Sequence, residues 1–149
     1  MNAEVLLVED DPGHARLFLS RIRQRGLTAG VHWLREGREA LDYLGQDGGL
    51  VNRGRRALVV VLDLDLPDIS GLDVLRRVRQ DPFHARTQVL ILTTSDDASD
   101  IAACRELGCH DYLCKVTAFG DDHTLADRLR GLLALAGPPP VPSAAEPPA

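Results

Sequence analysis

The sequence predicts a doubly wound α/β domain, built on a five-stranded parallel sheet with five helices. Three observations carry that reading. Short apolar runs of strand character alternate with segments of helical periodicity. The strongest run, Leu58 to Leu62, is apolar at both parities, which suits a central parallel strand covered on both faces. Four of the runs end in residues able to do phosphate chemistry, and in an open parallel sheet those ends form the ligand crevice.

The elements follow in order. Val5 to Val8 is the first strand and leads into Glu9-Asp10-Asp11. Asp11 as N-cap and Pro12 at the first helical position start a helix. Ala15, Phe18, Leu19 and Ile22 form its apolar stripe, and Gly26 stops it. A weaker strand over Val31 to Leu34 and a short helix from Arg38 to Leu44 come next, before a Gly- and Arg-rich loop over Gly45 to Arg56. Strand Leu58 to Leu62 ends in Asp63. The helix after Ser70-Gly71 turns Leu72, Val74, Leu75 and Val78 inward and stops before Asp81-Pro82. Strand Val89 to Leu92 ends in Thr93-Thr94, and a helix from Ala98 to Leu107 ends at Gly108. A short strand, Tyr112 to Lys115, leads to a last helix from Asp122 to Leu135. Right-handed crossovers are expected throughout. Residues 1–137 form one domain on this reading. Residues 138–149 hold six of the nine prolines and no apolar periodicity, so a disordered tail is expected there.

Composition narrows the function. The 149 residues suffice for one core, and 44% hydrophobic with 26% charged residues is ordinary for a globular protein. A net charge of -5 with dispersed arginines argues against a nucleic-acid footprint. No apolar run approaches a membrane span, and no basic region precedes the first strand, so a cytoplasmic protein is expected. Cys104, Cys109 and Cys114 suit free thiols in a reducing compartment, and their spacing around His110 matches no zinc pattern.

The strand ends bring Glu9, Asp10 and Asp63 together. Clustered carboxylates repel, and a hard divalent cation such as magnesium removes the conflict. A carboxylate is also a nucleophile that can form an aspartyl phosphate. Thr93 and Lys115 would supply the donors for the added oxygens. Lys115 is the only lysine beside sixteen arginines, and a compact ammonium fits where a planar guanidinium fork does not. Taken singly, each residue has a plainer reading: a turn or cap for Asp10 and Asp11, a helix start for Thr93, a surface charge for Lys115. Their conjunction at four strand ends points to phosphoryl acceptance.

That set resembles the response-regulator receiver domain of two-component signalling. The carrying motifs are Glu9-Asp10 after strand one, Asp63 with Pro67 and Gly71 after strand three, Thr93 after strand four and Lys115 after strand five. The resemblance runs from about Glu4 to Leu135. It implies a flavodoxin-like strand order 2-1-3-4-5 and phosphorylation of Asp63 by a histidine kinase. It also implies magnesium held by the side chains of Asp10 and Asp63, the backbone carbonyl of Asp65, and Glu9 through water. Thr93 and Tyr112 match the family's switch positions, although Tyr112 also reads as plain core. A narrower resemblance, over Tyr43 to Arg56 and from Asp81-Pro82 to Ser95, is to single-domain receivers that serve bacterial phytochrome kinases. The receiver reading implies a switch with no enzymatic activity beyond its own phosphorylation and slow hydrolysis, and with no segment left for a second domain no output domain is expected. The signal would leave through the last two helices and last strand, where a homodimer is a candidate.

Two departures from the family matter. Val116 stands where proline usually follows the lysine, so a trans Lys115–Val116 peptide and a reshaped start of the last helix are expected. Thr94 replaces a common alanine. Two other readings compete. Asp63-Leu64-Asp65, Thr93, Lys115 and Gly120-Asp121-Asp122 resemble motifs of haloacid-dehalogenase-like phosphatases. That family's nucleophile strand comes first in the chain, and Glu9-Asp10 would then have no role. The third reading is an interaction module with an inactive site.

Overall fold

The computed structural model describes residues 3–45 and 57–136. Five strands form one parallel sheet: β1 Ala3–Val8, β2 Gly30–Leu34, β3 Ala57–Leu62, β4 Gln88–Thr93 and β5 Asp111–Cys114. Their order is β2-β1-β3-β4-β5, with every pairing parallel. This is the expected doubly wound sheet. Six α-helices lie among the described residues: α1 Pro12–Gln24, α2 Gly37–Gly45, α3 Gly71–Gln80, α4 Ala98–Glu106, α5 Lys115–Gly120 and α6 Thr124–Ala136. A single 3₁₀ turn spans Pro82–His84.

Strand parity sorts the core into two halves. Val5, Leu7, Val59, Val61, Leu90 and Leu92 face α1 and α6, meeting Phe18, Ile22, Leu125 and Leu129. Leu6, Val8, Val60, Leu62, Val89 and Ile91 face the other way, against Ala40, Leu44, Val74, Leu75 and Val78. β3 is buried along its whole length because it sits in the middle of the sheet under both helical layers. β2 is an edge strand in which no residue is fully buried, which explains its weak signal.

The Asp11 cap and the glycine stops are those the sequence signals, and the structure adds a cap at Ser70. The Asp11 carboxylate accepts from the backbone N–H groups of Gly13 and His14, and Pro12 opens the helix. Ser70 caps α3 by accepting from Asp73 N. Gly26 and Gly108 take positive φ, 75° and 83°, where the chain leaves α1 and α4.

The differences lie after β5 and in the loops. Lys115 is not the last residue of a strand but the first of α5, and the last helix starts at Thr124 rather than Asp122. The Lys115–Val116 peptide is trans, as expected. Proline at 116 would have disfavoured helical geometry at Lys115, and valine lifts that restriction. The loop over Gly45 to Arg56, beyond Gly45 itself, and the Pro-rich tail at 138–149 lie outside the described residues.

One glycine explains a spacing. Gly71 opens α3 directly beneath the peptide of Asp63, and its N–H donates to Leu64 O at 2.9 Å. A Cβ there would stand 2.2 Å from Asp63 O and 2.7 Å from Leu64 Cα. Both obstacles are backbone and cannot swing aside. Gly71→Ala is therefore expected to cost at least about 3 kcal/mol, the upper end of ordinary overpacking, and to lower the urea midpoint accordingly. A wild-type midpoint would contradict the close approach.

Candidate functional site

The carboxyl ends of β1, β3, β4 and β5 line up because each strand pairs in register with its neighbour: Val8 lies opposite Leu62, Leu62 opposite Ile91, and Thr93 opposite Cys114. Glu9, the residue after β1, is held by its backbone. Its N–H donates to Leu34 O at 2.9 Å, and its carbonyl accepts from Trp33 Nε1 at 2.6 Å. Asp63 N–H donates to Val8 O at 3.1 Å, which fixes it beside Glu9. Both carboxylates are buried. Ligand oxygens of Glu9, Asp10 and Asp63 all lie within 4.8 Å of one another, close enough to hold one metal ion.

Lys115 enters this acidic pocket from the first residue of α5. Its ammonium donates to Asp63 Oδ2 at 2.8 Å and lies 2.5 Å from Glu9 Oε1, and the residue is 4% exposed. One cation thus serves two buried anions, and both Lys115 and Glu9 have raised pKa values, for different reasons. Burial alone would lower the Lys115 pKa, but the hydrogen bonds to Asp63 and Glu9 outweigh it and raise it above the usual 10.5. For Glu9, burial dominates and pushes the carboxyl above its ordinary 4.5. Lys115 and the Asp11 N–H counter this, while the Asp63 charge adds to it. The two results agree physically: the ammonium gains from two anions, and each anion receives only a share of one cation.

The other expected residues are placed less uniformly. The Thr93 hydroxyl is buried at the end of β4 and has no hydrogen-bond partner among the described residues. Asp65 points its side chain to solvent, and its N–H donates to Asp63 Oδ1 at 3.1 Å, so it joins the site by backbone. Tyr112 OH donates to Ser95 O at 2.9 Å, tying β5 to the loop after β4. It makes no hydrogen bond to the carboxylates or to Lys115.

Several neighbours lay outside the sequence reading. His14, on the first turn of α1, brings Nδ1 to 2.9 Å from Lys115 Nζ. Its position three residues after the capping Asp11 was the available signal, since helical side chains lean back toward the N-terminus. Trp33 arrives from β2, and Arg35 from the residue just after it. The Arg35 guanidinium lies 5.4 Å from the Trp33 ring centroid and donates to Asp10 O at 3.3 Å. A cavity of about 330 Å³ lined by Asp10, Arg35, Glu36, Glu39 and Pro67 opens beside them. The Asp68 carboxylate accepts from the N–H groups of Gly37 and Arg38 at 2.9 and 2.8 Å, which pins the loop after Asp63 to α2.

Residues 5–130 match the response regulator receiver domain, and the chain belongs to that family. It is 36% identical over 119 residues to the probable methanogenesis regulatory protein FilR2 of Methanothrix harundinacea, covering 78% of this chain and 74% of that one. Response regulator Rcp1 of Synechocystis is 36% identical over 111 residues, covering 74% and 75%. The crystal structure of a response regulator receiver domain from Rhodospirillum rubrum superposes with a TM-score of 0.73 at 35% identity, over 92% of this chain and 97% of that one. The phosphorylated cyanobacterial phytochrome response regulator RcpA gives a TM-score of 0.68 at 28% identity, over 91% of each chain. The Mn(2+)-bound form of Rcp1 gives 0.66 at 31% identity, over 89% and 91%.

The raised Glu9 carboxyl makes a prediction for metal-free protein. Its native pKa lies above the unfolded value, so its contribution to stability is present below about pH 4.5 and is lost as pH rises through the native value. Glu9→Gln removes that dependence. In chelator, the stability of Glu9→Gln relative to wild type should therefore increase from pH 4.5 to pH 7, as read from urea unfolding. A relative stability that falls over this interval would contradict the assignment.

Proposed function

We propose that the protein is a phospho-accepting response regulator in which Asp63 takes a phosphoryl group from a sensor histidine kinase. The observation that carries this reading is the Asp63 carboxylate itself. It is buried, hydrogen-bonded to Lys115 at 2.8 Å, and set among Glu9 and Asp10. A buried carboxylate with a fixed cation on one oxygen and a backbone N–H on the other is oriented for attack. One Asp63 oxygen forms the new bond to phosphorus. The bond from phosphorus to the kinase's imidazole nitrogen breaks, and the imidazole leaves with that electron pair. Lys115 and the orphaned Thr93 hydroxyl then have phosphoryl oxygens to meet.

The acidic cluster fits a divalent cation, and magnesium is the one proposed. Asp10 and Asp63 would hold it by side chain, Asp65 by its carbonyl, and Glu9 through water. When bound, magnesium supplies charge neutralisation for the approaching phosphate. The protein's own residues do the rest: they orient Asp63, exclude bulk water from it, and present donors.

Thr93 and Tyr112 are proposed to couple phosphorylation to the surface of the last two helices and β5, where a target or a second copy would bind. Similarity to the phytochrome response regulator RcpA supports a bacterial phytochrome kinase as the phosphoryl donor. The protein acts in the cytoplasm on this reading. Among the described residues no helix is long and apolar enough to cross a membrane.

Asp63→Asn should abolish magnesium-dependent labelling by acetyl phosphate or a phosphorylated kinase, measured by phosphate-affinity gel. Labelling of that variant at the wild-type rate would refute the assignment. Lys115→Arg should also fail, although it conserves charge. The guanidinium is wider than the ammonium, and the site is closed around a single nitrogen.

A further inference from the structure

Lys115 has three N–H donors and three acceptors. They are Asp63 Oδ2 at 2.8 Å, Glu9 Oε1 at 2.5 Å and His14 Nδ1 at 2.9 Å. An ammonium only donates, so His14 Nδ1 accepts, and the ring is neutral with its proton on Nε2. The set is closed, with no N–H left for a fourth acceptor. A phosphoryl group on Asp63 brings new acceptor oxygens. Lys115 can bond one of them only by releasing a partner it already has.

The three partners are unequal. Asp63 carries the phosphoryl group. Glu9 is 3% exposed, and releasing it would leave a buried carboxylate without its counter-charge, which is strongly unfavourable. His14 is neutral, its side chain is 34% exposed, and water can take the place of the lysine at Nδ1. His14 is the partner most readily given up.

We propose that His14 is a positioning residue that holds the Lys115 ammonium in the unphosphorylated protein and yields it to a phosphoryl oxygen, so that it sets how strongly the site resists phosphorylation. The proposal rests on the phospho-acceptor reading above. No covalent bond to His14 forms and Lys115 keeps its protons; one hydrogen bond is exchanged for another. The exchange also has a structural address. Arg21, seven residues further along α1, donates to Phe119 O on α5 at 2.9 Å, and the His14 and Phe119 ring centroids are 6.1 Å apart. Helix α1 therefore holds both ends of α5, and releasing Lys115 loosens one of the two ties.

The test is calorimetric titration of the full chain with beryllofluoride, a mimic of the phosphoryl group, in millimolar magnesium. His14→Leu keeps apolar bulk and removes the acceptor. His14→Ala also removes it and makes the least demand on folding. His14→Asn retains an acceptor oxygen near the Nδ1 position. Losing a hydrogen bond to a charged donor is worth about tenfold, so His14→Leu and His14→Ala should bind beryllofluoride about tenfold more tightly than wild type. His14→Asn should return to the wild-type affinity, and magnesium alone should bind all four proteins equally. A purely structural role would instead lower the melting temperature, weaken both ligands, and show no rescue by asparagine. Wild-type or weaker beryllofluoride affinity in both acceptor-less variants would overturn this inference and leave the receiver reading intact. Failure of the wild-type protein to bind beryllofluoride would overturn both.

Discussion

One ammonium shared between two buried carboxylates is the interaction on which the rest of the site depends. Lys115 comes from the residue after β5, Glu9 from the residue after β1, and Asp63 from the residue after β3. Bringing two acids together away from water is unfavourable, and a third, Asp10, stands beside them. The parallel sheet imposes this arrangement: with its strands in register, its carboxyl ends must coincide. The strongly apolar β3 and the two helical layers supply the burial that makes the sheet hold such a cluster. Stability is given up locally so that the site keeps an unsatisfied demand for positive charge. On the proposed reading a divalent cation would meet that demand, and its charge would let the site accept an anionic phosphoryl group.

The surrounding backbone is arranged to keep the cluster rigid. Gly71 allows α3 to begin against the Asp63 peptide, and Asp68 pins the intervening loop to α2. Trp33 on the edge strand and Arg35 just after it hold the carbonyls of Glu9 and Asp10. The Thr93 hydroxyl is the exception, since it is buried with no hydrogen-bond partner among the described residues. An unmet donor is costly unless a ligand completes it, and phosphoryl transfer to Asp63 would supply the missing oxygen.

How much of this was legible depended on whether the signal was local. Strand ends can be read from apolar runs, so Glu9, Asp10, Asp63, Thr93 and Lys115 stood out together. The cap at Asp11 and the stops at Gly26 and Gly108 follow from side-chain and glycine chemistry, and they sit where that chemistry puts them. Helix α5 did not stand out, because six residues including Val116, Thr117 and Phe119 carry neither strong helix propensity nor a readable period. Its position is set by tertiary ties, among them Arg21 to Phe119 O and the buried Lys115. His14, Trp33 and Arg35 were also missed. Trp33 and Arg35 reach the site across the fold with nothing local to mark them, whereas His14 had one local signal, its place in the first turn after the Asp11 cap.

The charge deficit is the central claim, and Lys115→Ala tests it most directly. Removing the ammonium leaves Glu9 and Asp63 buried without a counter-charge, a loss of about 3–5 kcal/mol for a buried pair broken on one side. Thermal unfolding of wild type and variant should be compared in chelator and in millimolar magnesium. The account predicts that magnesium raises the melting temperature of both, and raises that of Lys115→Ala more, because an ion that binds only the native state stabilises it by mass action and here also replaces the missing charge. Melting temperatures indifferent to magnesium in both proteins would contradict it.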